Sequence, residues 1–293
     1  MGSQDRRRVV IDTDAKNEAD DQFAIVHALL SPTLDVRGII PAHFGTRRTD
    51  RSMFESRAEV DLLLDLLEMR GRVRVENGAP AAMPDEATPV DSAGARLIIE
   101  EALKDEGPLQ VAFLGPLTDM ASALLLEPRI AERDVTVLWI GGPPYDDVVP
   151  SYWPEFNLSN DVPAANVVFA SDVALIQVPM SAYTMVGVGH AELRHKVAGC
   201  GRIGRYLVDQ LLEWNRTGHT HEPIEYRSLG DSPAVALMLN MGSGLLRRRP
   251  APSFAADGSY AAGSGRPISV CEAIDARYLL EDMFAKLAEH AGK

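Results

Sequence analysis

Five acidic residues lie close together near the start of the chain, between residues 12 and 21. They are Asp12, Asp14, Glu18, Asp20 and Asp21. Carboxylates this close repel one another and raise each other's pKa unless a cation neutralises them. Hard cations such as Ca²⁺ and Mg²⁺ prefer oxygen ligands of this kind. The segment is therefore predicted to form a cation site.

A simpler interpretation is that some of these acids only cap a helix. Asp20 and Asp21 begin an amphipathic pattern whose apolar side includes Phe23 and Val26. Acidic side chains in a first helical turn are common because they interact favourably with the helix dipole. One or two acids would serve that purpose, whereas five carboxylates in ten residues exceed it. The cation site is the preferred hypothesis.

The composition limits the classes of partner. The chain has 293 residues, of which 46% are hydrophobic, as is usual for a globular protein. Its formal net charge of −13 would repel nucleic acids and anionic membranes, so a neutral small molecule is the expected partner. Cys200 and Cys271 are its two cysteines, and they have no metal-ligand spacing. Together with the lack of a signal-peptide pattern, this predicts a cytoplasmic protein.

Short β-branched runs alternate with amphipathic stretches, which predicts an α/β fold with a mostly parallel, open central sheet flanked by helices. The predicted strands are residues 9–11, 36–40, 111–114, 135–140 and 173–178. The predicted helices are residues 20–30, 51–67, 92–103, 117–126, 162–169, 202–214 and 276–290. No linker divides the chain, so residues 1–293 are expected to form a single domain.

Other segments are predicted to form loops, turns and a hairpin. Residues 141–154 contain four prolines and three aromatic residues, which is typical of a functional loop. Residues 252–256 and 267–270 are predicted to pair as a late hairpin. The three arginines at 247–249 are predicted to lie in a solvated turn.

The position of the acidic cluster in this fold predicts where a ligand binds. In an open parallel sheet, ligands bind beyond the carboxyl ends of the strands. The cluster directly follows the first predicted strand. It should therefore lie at that edge of the sheet.

Four motifs in the same chain order resemble those of the inosine-uridine preferring nucleoside hydrolase family. Residues 12–21 resemble the family's D-x-D-P-G-x-D-D, although they are two residues longer and lack the Pro-Gly, as in a divergent N-E-x-D-D branch. Residues 113–121 resemble L-G-P-L-T-N-[IL]-A. Residues 140–142 and 155–157 are similar to G-G…E-F-N. Residues 230–236 resemble H-D-P-[LA]-[AV]-[AV], with Gly230 in place of the histidine.

The resemblance implies a nucleoside-hydrolase-like fold and a calcium-dependent hydrolase that cleaves the N-glycosidic bond of a ribonucleoside or related ribosyl substrate. The implied calcium ligands are Asp14, Asp21, Asp231 and the backbone carbonyl of Leu114. Asp14 would also be the general base, and Asp12 would contact the ligands rather than the ion. The implied sugar-binding residues are Asp20, Glu155 and Asn157. The resemblance also implies that this protein assembles as a homodimer or homotetramer.

Because Gly230 stands where the family has a histidine, the sequence leaves open which residue assists the leaving base. The candidates are His43, Tyr145, Tyr152, Trp153, His219, His221 and Tyr226. His43 is the best placed, because it follows the second predicted strand at the edge where the acids lie. Trp153 belongs to the loop at 141–154, which is expected to cover the pocket and stack on the leaving group.

Two other functions remain open from the sequence. Asp12-Thr13-Asp14 and Gly230-Asp231-Ser232 also resemble the D-x-D and G-D-[ST] motifs of haloacid-dehalogenase-like phosphatases. The second alternative is a sugar-binding or non-nucleoside glycoside-acting member of the same fold. In that case, Gly230 in place of the family's histidine indicates altered catalysis.

Overall fold

The computed structural model describes residues 6–217 and 224–292. Its strands are, in chain order, β1 (Arg7–Thr13), β2 (Leu34–Pro41), β3 (Leu109–Phe113), β4 (Val135–Ile140), β5 (Ala174–Val178), β6 (Gly187–Gly189), β7 (Tyr226–Ser228), β8 (Gly244–Pro250), β9 (Ser253–Phe254), β10 (Tyr260–Ala261) and β11 (Pro267–Ile274). Seven of them form the central sheet, in the order β2-β1-β3-β4-β5-β11-β8. All neighbours in this sheet are parallel except β8, which runs antiparallel to β11. Two small hairpins, β6–β7 and β9–β10, lie outside it.

Helices connect the parallel strands and cover both faces of the sheet. They are α1 (Asp21–Leu29), α2 (Ser52–Leu66), α3 (Ala93–Leu103), α4 (Thr118–Leu126), α5 (Phe156–Asn160), α6 (Val162–Ala170), α7 (Met180–Tyr183), α8 (His190–Lys196), α9 (Gly201–Thr217), α10 (Ser232–Leu239) and α11 (Ala276–Ala291). Several begin at a side-chain cap: Ser92 accepts a hydrogen bond from the Ala95 amide, and Asp161 accepts one from the Ala164 amide. Among the residues that the structure describes, no helix is both long and apolar enough to cross a membrane.

The core has two layers, one on each face of the sheet. In one layer, fully buried Trp139 of β4 meets Phe169 and Phe254 edge-on, with ring centroids 5.6 and 6.2 Å away. Its indole N–H donates to the carbonyl of Gly115, at 3.1 Å. Because Gly115 lies two residues after the end of β3, this contact connects core packing to the ends of the strands.

The predicted fold class is confirmed. All five predicted strands are present in the parallel part of the sheet, and the predicted helices correspond to α1, α2, α3, α4, α6, α9 and α11 with small changes at their ends. Buried β-branched runs and amphipathic stretches differ in period, which is why these elements could be predicted. The small hairpin β6–β7 and the short helices α5 and α7 were not predicted, because segments of three to five residues carry little periodicity.

Two predictions about the C-terminal part were wrong. Residues 267–270 do not pair with residues 252–256; β11 pairs with β5 and β8, while β9 pairs with β10. Residues 247–249 lie in the edge strand β8 rather than in a turn. Their charges are compatible with a strand because Arg247 and Arg249 both bond Glu272 on β11. An edge strand can keep charged side chains in solvent.

The packing of Trp139 yields a stability prediction. Trp139→Ala should lower the free energy of unfolding by about 3–5 kcal/mol, because it leaves a cavity between two rings and removes the donor to Gly115. Trp153, which is 49% exposed, provides the matched control. Trp153→Ala should change that free energy by about 1 kcal/mol or less. Urea unfolding followed by circular dichroism measures both, and equal losses would contradict this account of the core.

Candidate active site

A cavity lies beyond the carboxyl ends of β1, β3 and β4, where the sheet topology predicts a ligand site. Seven of the residues predicted from sequence line it. They are Asp14, Asp20, Asp21, Leu114, Glu155, Asn157 and Asp231. These residues come from chain positions more than 200 apart, and the shared sheet edge brings them together.

Three carboxylates form the tightest group in the cavity. Asp20 and Asp21 lie where α1 begins, and Asp231 lies where α10 begins. Oxygen atoms of the three lie within 4.8 Å of one another, an arrangement that could hold a metal ion. The Asp20 side chain makes no capping hydrogen bond to α1. Capping alone therefore does not account for the acid at this position.

Asp14 adds a fourth aspartate to the cavity wall. It is 2% exposed, and its Oδ2 atom has no hydrogen-bond partner among the described residues. A buried carboxylate oxygen without a donor is costly unless a cation or a proton meets it. The oxygen-only donor set of this wall and the unsatisfied Oδ2 fit a hard metal ion.

Burial and mutual repulsion make these acids weak. Burial, and then the neighbouring Glu18 and Asp21, raise the pKa of Asp20 to about 7. Burial raises the pKa of Asp21 to about 6, although the hydroxyl of Thr13 opposes the shift by donating to Asp21 at 2.5 Å. Burial and the surrounding acids raise the pKa values of Asp14 and Asp231 well above their usual range. Without a cation, protons neutralise part of this cluster near neutral pH.

The acidic loop between β1 and α1 is held in place by a buried carboxylate on α2. Glu59 is 3% exposed and accepts from Lys16 at 2.8 Å and from Gln22 at 3.1 Å. The hydroxyl of Tyr206 on α9 also donates to it. The amide of Gln22 further donates to the Ala15 carbonyl at 2.6 Å. These bonds fix the loop segment that is two residues longer than the family signature.

The residues expected to bind the sugar are already engaged within the protein. Glu155 begins α5 and accepts from the backbone amides of Gly142 and Leu158, at 2.9 and 2.8 Å. It also accepts from the hydroxyl of Tyr183 at 2.9 Å. The Asn157 side-chain N–H groups donate to the carbonyls of Leu114 and Ile140, at 2.6 and 2.8 Å. The Oδ1 atom of Asn157 is the part of that amide left for a ligand.

Asp12 does not line the cavity. It is fully buried beside Asp119, and neither of its carboxyl oxygens has a hydrogen-bond partner among the described residues in its ionised form. Burial, followed by the charges of Asp119 and Asp14, raises the pKa of Asp12 well above its usual range. Asp119 stands where the resembled motif has Asn, and it accepts hydrogen bonds from the Ala79 amide and the Ser92 hydroxyl. A protonated Asp12 can donate to Asp119, which supports the end of β1 from behind the cavity.

The two residues expected to contact the leaving group lie elsewhere. His43 is 1% exposed; its Nδ1 accepts from the Gly45 amide at 3.2 Å, so its Nε2 donates to Thr118 at 2.8 Å. Burial lowers the pKa of His43 to about 4, which leaves the ring neutral. Trp153 is half exposed and is not part of the cavity wall. His219 and His221 lie outside the described residues.

Among the other aromatic candidates, Tyr152 reaches the cavity, whereas Tyr145 stacks on Tyr260 with ring centroids 4.5 Å apart. The loop at 141–154 thus contributes one aromatic side chain to the cavity wall.

Sequence reasoning missed Tyr183 and Arg227. Tyr183 lies five residues after β5, at the same sheet edge as the acids, and its hydroxyl bonds both Tyr152 and Glu155. Its position after a parallel strand was a usable signal. Arg227 lies on β7 and forms an ion pair with Glu18. No local pattern indicates that pair, because 209 residues separate its members.

This fold and an acid-rich cavity at the sheet edge define a class, the nucleoside hydrolases. Residues 9–276 match the family model described as inosine-uridine preferring nucleoside hydrolase. The chain belongs to that family, and it is an N-glycosyl hydrolase that acts on ribonucleosides. The phosphatase and the non-enzymatic binding protein are therefore wrong as alternatives.

Related proteins support the same class. The chain is 28% identical to "Probable uridine nucleosidase 2" of Arabidopsis thaliana, over 75% of this chain and 74% of the plant protein. It is 24% identical to "Pyrimidine-specific ribonucleoside hydrolase RihA" of Escherichia coli, over 73% of each chain. The solved "Purine-Preferring Ribonucleoside Hydrolase from Gardnerella vaginalis" superposes with a TM-score of 0.80 at 20% identity, covering 97% of this chain and 99% of that one. This last likeness supports the fold.

The weak acids of the cavity yield a prediction about pH and metal. In the metal-free protein, Asp20 and Asp21 contribute to stability in their protonated forms. This contribution is fully present below the unfolded-state pKa of 3.8. It is lost as the pH rises through the folded-state pKa values, about 7 for Asp20 and about 6 for Asp21. After EDTA treatment, the melting temperature should therefore fall between pH 4 and 7. Saturating Ca²⁺ should raise it by about 5 °C at pH 7.5 and by much less at pH 5, where protons compete with the ion.

Differential scanning calorimetry at the two pH values measures this difference. Mg²⁺ at the same concentration tests ion selectivity. Equal Ca²⁺ shifts at pH 5 and pH 7.5 would contradict a site built from these acids.

Proposed function

We propose that this protein hydrolyses the N-glycosidic bond of a ribonucleoside or related ribosyl compound with a calcium ion in the acidic cavity. The convergence of four buried aspartates in one cavity at the sheet edge carries the proposal. Its described lining residues offer oxygen donors and neither imidazole nor thiolate, which favours a hard cation over a transition metal. Ca²⁺ accepts more ligands and a less regular geometry than Mg²⁺, which suits so many acids.

Asp14, Asp21, Asp231 and the Leu114 carbonyl would hold the ion. When bound, it supplies the positive charge that increases the acidity of water and attracts the sugar hydroxyls. Asp20 and the Oδ1 atom of Asn157 can then accept hydrogen bonds from those hydroxyls. Asp14 and Leu114 directly follow strands, and the other four residues lie at the starts of helices, so the backbone fixes the positions of all six.

Asp14 would act as the general base. A water molecule attacks the anomeric carbon, its proton moves to Asp14, and the bond from that carbon to the base nitrogen breaks with its electron pair on the base. The buried, unpaired Oδ2 atom of Asp14 supports this role, because it can accept a proton without breaking a bond to the protein.

The acidic wall also suits the transition state. As the glycosidic bond breaks, positive charge develops on the sugar ring. Fixed carboxylates around that ring stabilise the charge without forming a covalent bond. Asp20 and Asp21 belong to this wall. Their repulsion in the empty cavity becomes attraction toward the reacting sugar.

Some expectations rest on the sequence and the family resemblance alone. We propose that residues 1–293 form one domain, that the protein works in the cytoplasm, and that it assembles as a homodimer or homotetramer. The net charge of −13 supports a neutral nucleoside as substrate rather than a nucleic acid or a membrane.

The direct experiment is base release from a panel of nucleosides by protein treated with EDTA and then given Ca²⁺ or Mg²⁺. Chromatography of the products identifies the base and the sugar. We expect release with Ca²⁺ and little without it. Release that does not respond to EDTA would refute the calcium dependence, and no release from any nucleoside or other riboside would refute the proposed function.

Asp14→Asn tests the general base. We expect kcat to fall about 10³-fold, because the amide cannot accept the proton. The metal-free variant should melt at the same temperature as the native protein or higher, because one repelling carboxylate has been removed. Asp257→Asn, at an exposed position, is the control and should leave kcat unchanged. Near-native turnover of the Asp14→Asn protein would contradict the assignment.

A further inference from the structure

A second cavity of about 450 Å³ adjoins the acidic one. The two share Glu18, Asp20, Tyr152, Tyr183 and Gly230 as wall residues. Its outer wall is more apolar and includes Met185, Ile224 and Tyr226. A sugar bound at the acids would therefore direct its leaving group into this second cavity, which we call the outer cavity.

Gly230 gives the outer cavity no side chain that could donate a proton to the leaving group at that position. A Cβ atom built on Gly230 would lie 3.1 Å from the Tyr183 ring and 3.3 Å from the Asp20 carboxylate. A side chain would fit there only if these neighbours moved. Among the described residues that line either cavity, none is a histidine. The leaving group must therefore be assisted from another position.

Most hydroxyl groups of the outer cavity already donate to the protein. Those of Thr184, Tyr226 and Ser228 bond the backbone carbonyls of Met180, Thr184 and Tyr183, at 2.6, 3.0 and 2.9 Å. The Tyr152 and Tyr183 hydroxyls bond each other, and Tyr183 continues to Glu155. A departing base would have to break one of these bonds to use such a proton.

Arg227 differs from these groups. It is the only cation among the described residues of the outer cavity wall. Its side chain is 18% exposed and bonds Glu18 through one terminal nitrogen. This is the only hydrogen bond of the guanidinium group within residues 6–217 and 224–292. A guanidinium group carries five N–H donors, so several remain for a ligand.

We propose that Arg227 assists the leaving group. As the bond from the anomeric carbon to the base nitrogen breaks, its electron pair moves onto the base, and the guanidinium group hydrogen-bonds a carbonyl oxygen over which the negative charge spreads. Arg227 keeps its protons throughout, and the base later takes one from water. The proposal rests on the proposed function and names a substrate class.

The class follows from the donor chemistry. Arginine offers donors and no acceptor, and it bonds most strongly to an oxygen that takes up negative charge, so it favours a base with an exposed carbonyl oxygen. Oxo-pyrimidines such as uracil and oxo-purines such as hypoxanthine have one. Adenine presents an amino group at the corresponding place. The Glu18 ion pair holds the guanidinium group at the wall that joins both cavities.

The test compares Arg227→Met with Arg70→Met, which removes an arginine paired with Asp65 far from both cavities. The substrates are uridine, inosine and p-nitrophenyl β-D-riboside, whose leaving group is stable as an anion without assistance. For Arg227→Met, kcat/KM should fall about 10²-fold on uridine and inosine but stay within about threefold on the nitrophenyl riboside. Arg227→Lys, which keeps the charge, should recover at least about tenfold of that loss. The Arg70→Met protein should match the native one on all three.

Each other outcome has a distinct meaning. Equal losses on all three substrates would show that Arg227 acts through Glu18 and the acidic loop, and would overturn the assignment. Unchanged activity of Arg227→Met on uridine and inosine would also overturn it, while the proposed function would stand. A native protein that cleaves none of the three with Ca²⁺ would refute the proposed function, and this assignment with it.

Discussion

The repulsion among buried carboxylates is the interaction on which the rest of this structure depends. Asp14, Asp20, Asp21 and Asp231 face one cavity, and burial raises the pKa of each of them. Such a cluster opposes folding unless protons or a cation neutralise it. The remaining fold keeps the carboxylates together in spite of this repulsion. The energy lost by concentrating charge is the same energy that makes the cavity attractive to a cation and to a sugar that becomes positive.

The fold opposes that repulsion with backbone geometry and a second set of buried polar bonds. Parallel strands end at one edge, and two helices begin there, so the backbone fixes where the acids point. The loop that joins β1 to α1 buries Ala15 and Ala19 in the core and is also held by polar bonds. Glu59 holds it through Lys16 and Gln22, and Tyr206 of α9 completes the network. Behind the cavity, burial raises the pKa values of Asp12 and Asp119, so a proton on one of these carboxyl groups would remove their repulsion.

The two ends of the site differ in chemistry. On the sugar side, oxygen acceptors dominate, and Glu155 is saturated by donors from the protein. On the side where we propose the leaving group, apolar side chains lie beside hydroxyl groups, and Arg227 is the single described cation, held by Glu18. Tyr183 contacts both ends, because its hydroxyl bonds Glu155 while its ring lies against Gly230. A shift of the Tyr183 side chain would therefore alter both the hydrogen bond to Glu155 and the packing against Gly230.

The sequence by itself determined the elements of the parallel sheet and the acids of the cavity, because periodicity and motif order are local properties of the chain. It predicted the convergence of Asp14, Asp20, Asp21, Leu114, Glu155, Asn157 and Asp231, since strands of one parallel sheet end at one edge. Only the tertiary structure decided the partners of side chains that are distant in the chain. Packing turned His43 away toward Thr118, left Trp153 in solvent, paired β11 with β8, and brought Arg227 to Glu18. These outcomes depend on which surfaces meet after folding, and short-range patterns carry no information about that.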